Sequence, residues 1–260
     1  MIDSHLHLDD AKFDGVREQI INDFPLHNID FVINNSCDLP SMRESARLAK
    51  ENFRVFATVG MHPHDAKSFD VNFEKEMIAL AQHPKVVAVG EIGLDYFYDI
   101  SLRQVQKDVF ARQLEIADKL HLPVTLHVRD AYGDALDVLT AQKRFLNNGV
   151  LWHCYGGSAE FASQMVKKGH YFAFGGAITF KNAKKEDVIR AIPPQRILSE
   201  TDSPYMTPVP LRGTVNNPFN VRFVVQKLAE VYGTDFSAME EQIRKNCLQL
   251  FPKIAAFLKD

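Results

Sequence analysis

The chain has 260 residues, of which 46% are hydrophobic and 24% are charged, so it contains enough apolar material for a full globular core. Its formal net charge of −3 excludes a protein that attracts polyanions through bulk charge, so binding of a polyanion would require a metal ion or a few well-placed cations. Three cysteines without a C-x-x-C pair argue against a disulfide framework and favour a reducing compartment.

The sequence contains no segment that resembles a membrane span or a signal peptide. No apolar run approaches the roughly 20 residues needed to cross a bilayer. The N-terminus is polar and acidic from Asp3 onward, unlike a secretory leader. Together with the cysteine usage, these features predict a cytoplasmic protein that does not act at a membrane.

Eight short β-rich segments run through the chain. They are rich in Val, Ile, Phe and Thr, and several end at Gly or Pro. They are residues 2–7, FVINNS from Phe31, RVFATVG from Arg54, KVVAVGEIG from Lys85, LPVTLHVR from Leu122, GVLWHCYGG from Gly149, YFAFGGAI from Tyr171 and RILSETDSP from Arg196.

Amphipathic helical patterns lie between these segments, the clearest over residues 102–121, where apolar residues recur at spacings of three to five. Weaker patterns cover residues 41–52, 72–83 and 160–169, and two further helical patterns follow the eighth segment at 221–233 and 240–251. The alternation indicates parallel βαβ units, for which a doubly wound open sheet is one solution. Eight units in a chain of this length favour instead a single (β/α)8 TIM-type barrel domain over residues 1–260.

Histidines and carboxylates follow the ends of several predicted strands. They are His5 and His7 on the first, Glu91 on the fourth, His127 on the fifth, His153 on the sixth and Asp202 on the eighth. Because the active site of a barrel lies at the C-terminal ends of its strands, we expect these six side chains to converge as metal ligands. The other histidines, His27, His83, His121 and His170, precede strands and are expected to be solvated or to cap local backbone.

Six ligands are too many for one tetrahedral ion and predict two divalent ions about 3.5–4 Å apart. Imidazole and carboxylate ligands suit Zn or Mn and accept Mg with water. The natural assignment gives His5, His7 and Asp202 to one ion and His127 and His153 to the other, with Glu91 between them. Asp202 and Glu91 are also the predicted catalytic residues, since they would orient or deprotonate a metal-activated water. Two divalent ions outweigh two carboxylates, so the site should attract an anion.

Further polar residues in the predicted loops could hold a phosphate group. His62 and His64 follow the third strand, Arg129 lies two residues after His127, and Arg212 lies in the loop after the eighth strand. We expect these four residues to contact substrate, because loops on this face of a barrel build the site. For Lys181, a solvated surface cation is an equally good interpretation.

The motifs resemble those of the TatD-type deoxyribonucleases, within the amidohydrolase-like barrel superfamily. The resemblance covers essentially the whole chain, in the order DSHLHLD, GMHPH, GEIGLDY, LHVRDA, HCYGG, TFKNAKK and ETDSPYMTPVPLRG. It implies a divalent-metal barrel hydrolase that cleaves phosphodiester bonds of DNA as a 3′-5′ exonuclease, acting on single strands or 3′ ends. It also implies the metal-ligand role for the six strand-end residues and a substrate-contact role for His62, His64 and Arg212.

Two other functions remain open on the sequence alone. The same site could serve a metal-dependent ester or amide hydrolase, such as a D-aminoacyl-tRNA deacylase or a lactonase, because a fold does not specify its substrate. A non-enzymatic partner-binding protein is the third possibility, but it predicts the loss of at least one ligand, and all six are present. No feature indicates an obligate protein partner.

Overall fold

The structure is a computed structural model that describes residues 1–259. Its strands coincide with the eight β-rich segments of the sequence. Every residue of the first four strands is buried, as expected for a parallel sheet that is covered on both faces. The strands are β1 Ile2–Leu6, β2 Phe31–Asn34, β3 Val55–Val59, β4 Val86–Asp95, β5 Val124–Arg129, β6 Val150–Trp152, β7 Tyr171–Phe174 and β8 Ile197–Ser199.

Helices separate and follow these strands. The helices are α1 Arg17–Asn22, α2 Leu39–Glu51, α3 Val71–Leu80, α4 Arg103–Lys119, α5 Tyr132–Ala141, α6 Ala159–Lys167, α7 Glu186–Arg190, α8 Val221–Tyr232, α9 Phe236–Leu250 and α10 Pro252–Phe257. All six predicted helical segments are found, whereas α1, α5, α7 and α10 have no counterpart among the sequence predictions. None of the helices within residues 1–259 has the length and apolar character that a membrane crossing requires.

The sheet contains all eight strands in sequence order, from β1 to β8, with parallel neighbours. Sequential strand order with intervening helices is the topology of a (β/α)8 barrel, and β1 also contacts β8. The predicted fold class is therefore confirmed. Neighbouring strands run parallel, and the candidate ligands all lie in the C-terminal halves of their strands or after them.

Two compact units are present in the chain. The first comprises residues 1–34 and 154–249 and holds β1, β2, β7 and β8, whereas the second comprises residues 35–153 with the segment from Leu250 and holds β3 to β6. The expectation of a single domain over residues 1–260 stays a prediction, and its last residue, Asp260, lies outside the described residues.

Glycine permits the close approach of β4 and β5 in the second unit. Gly93 has φ +141°, a conformation that favours glycine, and a Cβ added there would lie 2.0 Å from the carbonyl oxygen of His127. A Cβ added at Gly90, three residues earlier in β4, would lie 2.7 Å from Thr125 Cβ. These glycines therefore set how closely the strand that carries Glu91 can pack against the strand that carries His127.

Substitution of Gly93 by Ala should lower the free energy of unfolding by about 2 kcal/mol or more, because a backbone carbonyl must move to admit the new methyl group. Urea denaturation followed by circular dichroism measures the effect. Gly133→Ala is the matched control, since a Cβ there meets nothing within 4 Å and the position lies in α5. Equal stability of the two variants would contradict the packing argument.

Candidate metal centres

The first unit brings together His5, His7 and Asp202, here called the N-terminal cluster. His5 Nε2 lies 3.9 Å and His7 Nε2 lies 3.4 Å from Asp202 Oδ1, and the two imidazole rings are 5.1 Å apart between centroids. His5 and His7 share a face of the strand because side chains at i and i+2 point the same way. His5 is fully buried, whereas 12% of His7 and 17% of Asp202 remain exposed, so the cluster opens to solvent on one side.

Backbone hydrogen bonds fix the N-terminal cluster. The Asp202 amide donates to the carbonyl of His5 at 2.9 Å, and the His7 amide donates to the carbonyl of Ser203 at 2.8 Å. These bonds join the end of β1 to the segment after β8. The two ligand-bearing segments are consequently held in register before any ion binds.

Asp3 supports this arrangement from the layer below. Its carboxyl accepts hydrogen bonds from the Thr201 amide at 3.0 Å, from the Thr201 hydroxyl and from the His5 amide at 3.2 Å. Complete burial raises the pKa of Asp3 to about 8, although the hydrogen bonds from Thr201 and His5 oppose this shift. Asp3 thus anchors the residue that precedes Asp202 rather than reaching the cluster itself.

The second unit brings together four side chains, here called the Glu91 cluster: His62, Glu91, His127 and His153. Around Glu91 Oε1 lie His127 Nδ1 at 2.8 Å, His153 Nε2 at 3.0 Å and His62 Nε2 at 3.7 Å. Glu91 is 3% exposed. A carboxylate buried this deeply must be compensated by hydrogen bonds or positive charge, and here imidazoles surround it.

The donor set of the Glu91 cluster fits a divalent metal ion, and the N-terminal cluster offers the same types of ligand atom. His62, Glu91 and His127 each offer one ligand atom, and these atoms all lie within 4.8 Å of one another. Imidazole nitrogens combined with a carboxylate oxygen are the ligands of Zn and Mn, and they tolerate Mg when water completes the shell. The buried position of Glu91 would favour an ion further, because an ion neutralises the desolvated charge.

Asp95 is a functional candidate that the sequence analysis missed. Its Oδ2 lies 3.0 Å from His127 Nε2 and 3.0 Å from His64 Nε2, so that each ring nitrogen of His127 faces a carboxylate. Asp95 lies four residues after Glu91 in β4, so the period of two of the strand places both on one face. That spacing is the signal by which the sequence could have identified it.

The titration of these groups follows from their neighbours. Burial alone would raise the pKa of Asp95, but hydrogen bonds from His127, the Tyr98 amide and His64 hold it well below its usual range. Burial lowers the pKa of His127, yet the hydrogen bonds to Asp95 and Glu91 outweigh it and raise the value. Burial and the neighbouring His127 keep the pKa of His62 well below its usual value. His62 therefore stays neutral, as a metal ligand must be.

The predicted substrate contacts lie in different surroundings. His62 belongs to the Glu91 cluster. His64 lies outside the cluster, and its Nε2 is 3.0 Å from Asp95 Oδ2. Arg129 and Arg212 are exposed and hold their guanidinium groups over aromatic rings, at 3.8 Å from the Phe97 centroid and 3.9 Å from the Phe180 centroid, respectively. Lys181 lines a cavity of about 710 Å³ in the first unit.

The amino-acid sequence is similar to those of a known protein family and of several curated proteins. The family model described as TatD related DNase matches residues 2–252. The chain is 36% identical over 255 residues to the uncharacterized metal-dependent hydrolase YabD of Bacillus subtilis, covering 96% of this chain and 98% of that protein. It is 33% identical over 256 residues to the uncharacterized metal-dependent hydrolase YcfH of Escherichia coli K12, covering 96% and 95%.

A solved structure agrees with the fold. The crystal structure of YjjV, a TatD homolog from Escherichia coli K12, superposes with a TM-score of 0.90 and 28% sequence identity, covering 97% of this chain and 98% of that one.

Replacing Asp95 with Asn should lower the free energy of unfolding by about 1–3 kcal/mol, because the substitution removes a charge-assisted hydrogen-bond acceptor that faces two partly buried imidazoles. The measurement is urea denaturation of chelator-treated protein. Asp99→Asn is the matched control, since Asp99 forms only an exposed ion pair with Arg103, and such pairs contribute little. A loss of stability of the same size in both variants would contradict the role assigned to Asp95.

Proposed function

Because this chain belongs to the TatD-related DNase family, we propose that it is a divalent-metal-dependent hydrolase that cleaves phosphodiester bonds of DNA. The observation that carries the proposal is the Glu91 cluster, in which three imidazole nitrogens surround one buried carboxylate oxygen at 2.8–3.7 Å. Such a donor set has no purpose as ordinary core packing, since buried polar groups lower stability unless they are satisfied. The names of the relatives in Bacillus subtilis and Escherichia coli agree with hydrolysis.

We propose two divalent ions per chain, Mg, Mn or Zn. In this proposal His5, His7 and Asp202 would hold one ion, His127 and His153 would hold the other, and Glu91 would serve as a further ligand. A bound divalent ion supplies the Lewis acidity that phosphodiester hydrolysis at neutral pH requires. The remaining chemistry falls to side chains of the protein.

Asp202 is the proposed proton acceptor for the attacking water. Its carboxylate is 17% exposed, so a water molecule can reach it, whereas Glu91 is almost fully buried. Glu91, whose Oε1 has the nitrogens of three imidazoles around it, is suited instead to hold the ligand geometry. Asp95 orients His127 through the second ring nitrogen, as carboxylates commonly do for metal-binding histidines.

His62, His64, Arg129 and Arg212 are the proposed substrate contacts. Arg129 and Arg212 are permanently charged and can pair with a phosphate through two parallel hydrogen bonds. His64 is 26% exposed and lies at the edge of the second unit's cluster, where it can meet the substrate. With only a few placed cations and a net charge of −3, the protein suits the ends of single-stranded DNA better than long duplexes. We propose 3′-5′ exonuclease action.

A substrate panel tests the reaction. The metal-loaded chain should degrade a single-stranded oligonucleotide and hydrolyse a small phosphodiester, whereas D-aminoacyl-tRNA, acyl esters and lactones should remain intact. Turnover of only the esters would replace the nuclease with the deacylase or lactonase alternative. High-resolution gels of 5′-labelled and 3′-labelled strands assign the polarity.

Asp202→Asn should reduce kcat on the oligonucleotide by about 10²- to 10⁴-fold, since proton transfer by a positioned side chain contributes that much. Asp235→Asn, at an exposed position of the first unit, is the control and should retain full activity. Undiminished turnover in Asp202→Asn protein, with an unchanged circular dichroism spectrum, would remove Asp202 from the mechanism.

Metal stoichiometry tests the two clusters separately. Chelator-treated protein reconstituted with Mn or Zn should contain two ions per chain by mass spectrometry, and His7→Asn and His127→Asn should each contain one fewer. His121→Asn is the control, because His121 is exposed, precedes β5 and has φ +55°, which Asn accommodates. Two ions retained in either ligand variant would contradict the assignment.

A further inference from the structure

We propose that Phe97 and Tyr98 form a stacking platform for an unpaired base of the substrate, an inference that rests on the nuclease function proposed above. The two residues follow β4 directly, in a turn that we call the aromatic turn, residues 96–98. Phe97 is 54% and Tyr98 is 56% exposed. Two large adjacent rings that remain this open on a folded surface indicate a binding surface.

Arg129 gives the platform a charge that suits nucleic acid. Its guanidinium carbon lies 3.8 Å from the Phe97 ring centroid and 5.0 Å from that of Tyr98. Within residues 1–259, Arg129 has no carboxylate partner, whereas Asp99 pairs with Arg103 and Asp134 with Lys107. Asp99 and Asp134 are thus paired with other cations, and Arg129 remains available for a phosphate next to the stacked base.

Asp95 joins the platform to the Glu91 cluster. Its Oδ1 accepts the amides of Phe97 and Tyr98, each at 2.9 Å, while its Oδ2 faces His127 and His64. The ring of His64 also lies edge-on to Tyr98, with 5.3 Å between centroids. The platform is therefore separated from His127, a proposed metal ligand, by a single side chain, that of Asp95.

The combination of two exposed aromatic rings and a planar cation, which already covers one face of Phe97, favours a nucleobase over an apolar protein partner. Aromatic side chains stack on any base, so the platform confers little sequence preference, and stacking requires a base that is not already paired. A preference for single-stranded DNA ends then follows from Phe97 and Tyr98 rather than from the ions.

The test is a cycle that removes the base and the ring separately. Oligonucleotides carry a 5′ fluorophore and a cleavage-resistant phosphorothioate, and their last two nucleotides at the 3′ end are either intact or abasic. Fluorescence anisotropy with the Mn-loaded chain gives Kd. For the wild-type protein, loss of the bases should weaken binding about 10-fold or more. In Phe97→Ala and Tyr98→Ala proteins this ratio should fall to about twofold or less, because the base no longer has a ring to stack on.

Phe53→Ala is the matched control, since Phe53 is 64% exposed, lies in the same unit and precedes β3 at the opposite end of the strands. It should keep the wild-type ratio. A general structural defect would weaken intact and abasic strands equally and leave the ratio unchanged, which would overturn the platform. Ring-dependent base preference without cleavage of natural DNA would support the platform and overturn the proposed nuclease.

Discussion

The burial of the Glu91 carboxylate among imidazoles is the constraint on which the second unit depends. An ionised carboxylate that is removed from water lowers stability by several kcal/mol unless opposite charge or donors surround it. Histidines from the ends of three different strands must therefore lie next to this one carboxylate. Close packing at Gly90 and Gly93 makes this possible, because only glycine lets the backbones of β4 and β5 approach so closely.

The first unit meets a similar requirement with different means. His5 and His7 come from a single strand, and their partner Asp202 comes from the segment after β8. Here the backbone and the buried Asp3 provide the rigidity that side-chain packing provides around Glu91. Each cluster is thus held by a carboxylate that does not itself occupy the centre: Asp3 in one unit and Asp95 in the other. Such supporting groups are what hold ligands in place before the ion arrives.

The sequence predicted the strands because parallel sheets bury both faces, which produces short runs of Val, Ile and Phe between helical patterns. It predicted the six candidate ligands because histidines that follow several strands in one chain direction have little other explanation. The helices α1, α7 and α10 were not predicted, since helices of five or six residues have fewer than two turns and carry too few apolar residues to define a period. His62 was expected only to contact substrate, whereas its position beside Glu91 depends on how the segment after β3 folds.

The exposed aromatic turn was not predicted for a related reason, whereas the spacing of Asp95 from Glu91 in β4 could have identified Asp95. Phenylalanine and tyrosine in a sequence are taken as core residues by default, and only coordinates show that Phe97 and Tyr98 remain open. The two carboxyl oxygens of Asp95 contact different partners: Oδ1 accepts the amides of the aromatic turn, whereas Oδ2 faces His127. If a ligand orders the aromatic turn and thereby strengthens the hydrogen bond between Asp95 and His127, it raises the affinity of His127 for the ion. Binding of the ion must then raise the affinity for that ligand by the same factor. Ion and substrate would in that case be thermodynamically coupled through a single carboxylate, each acting as an effector of the other.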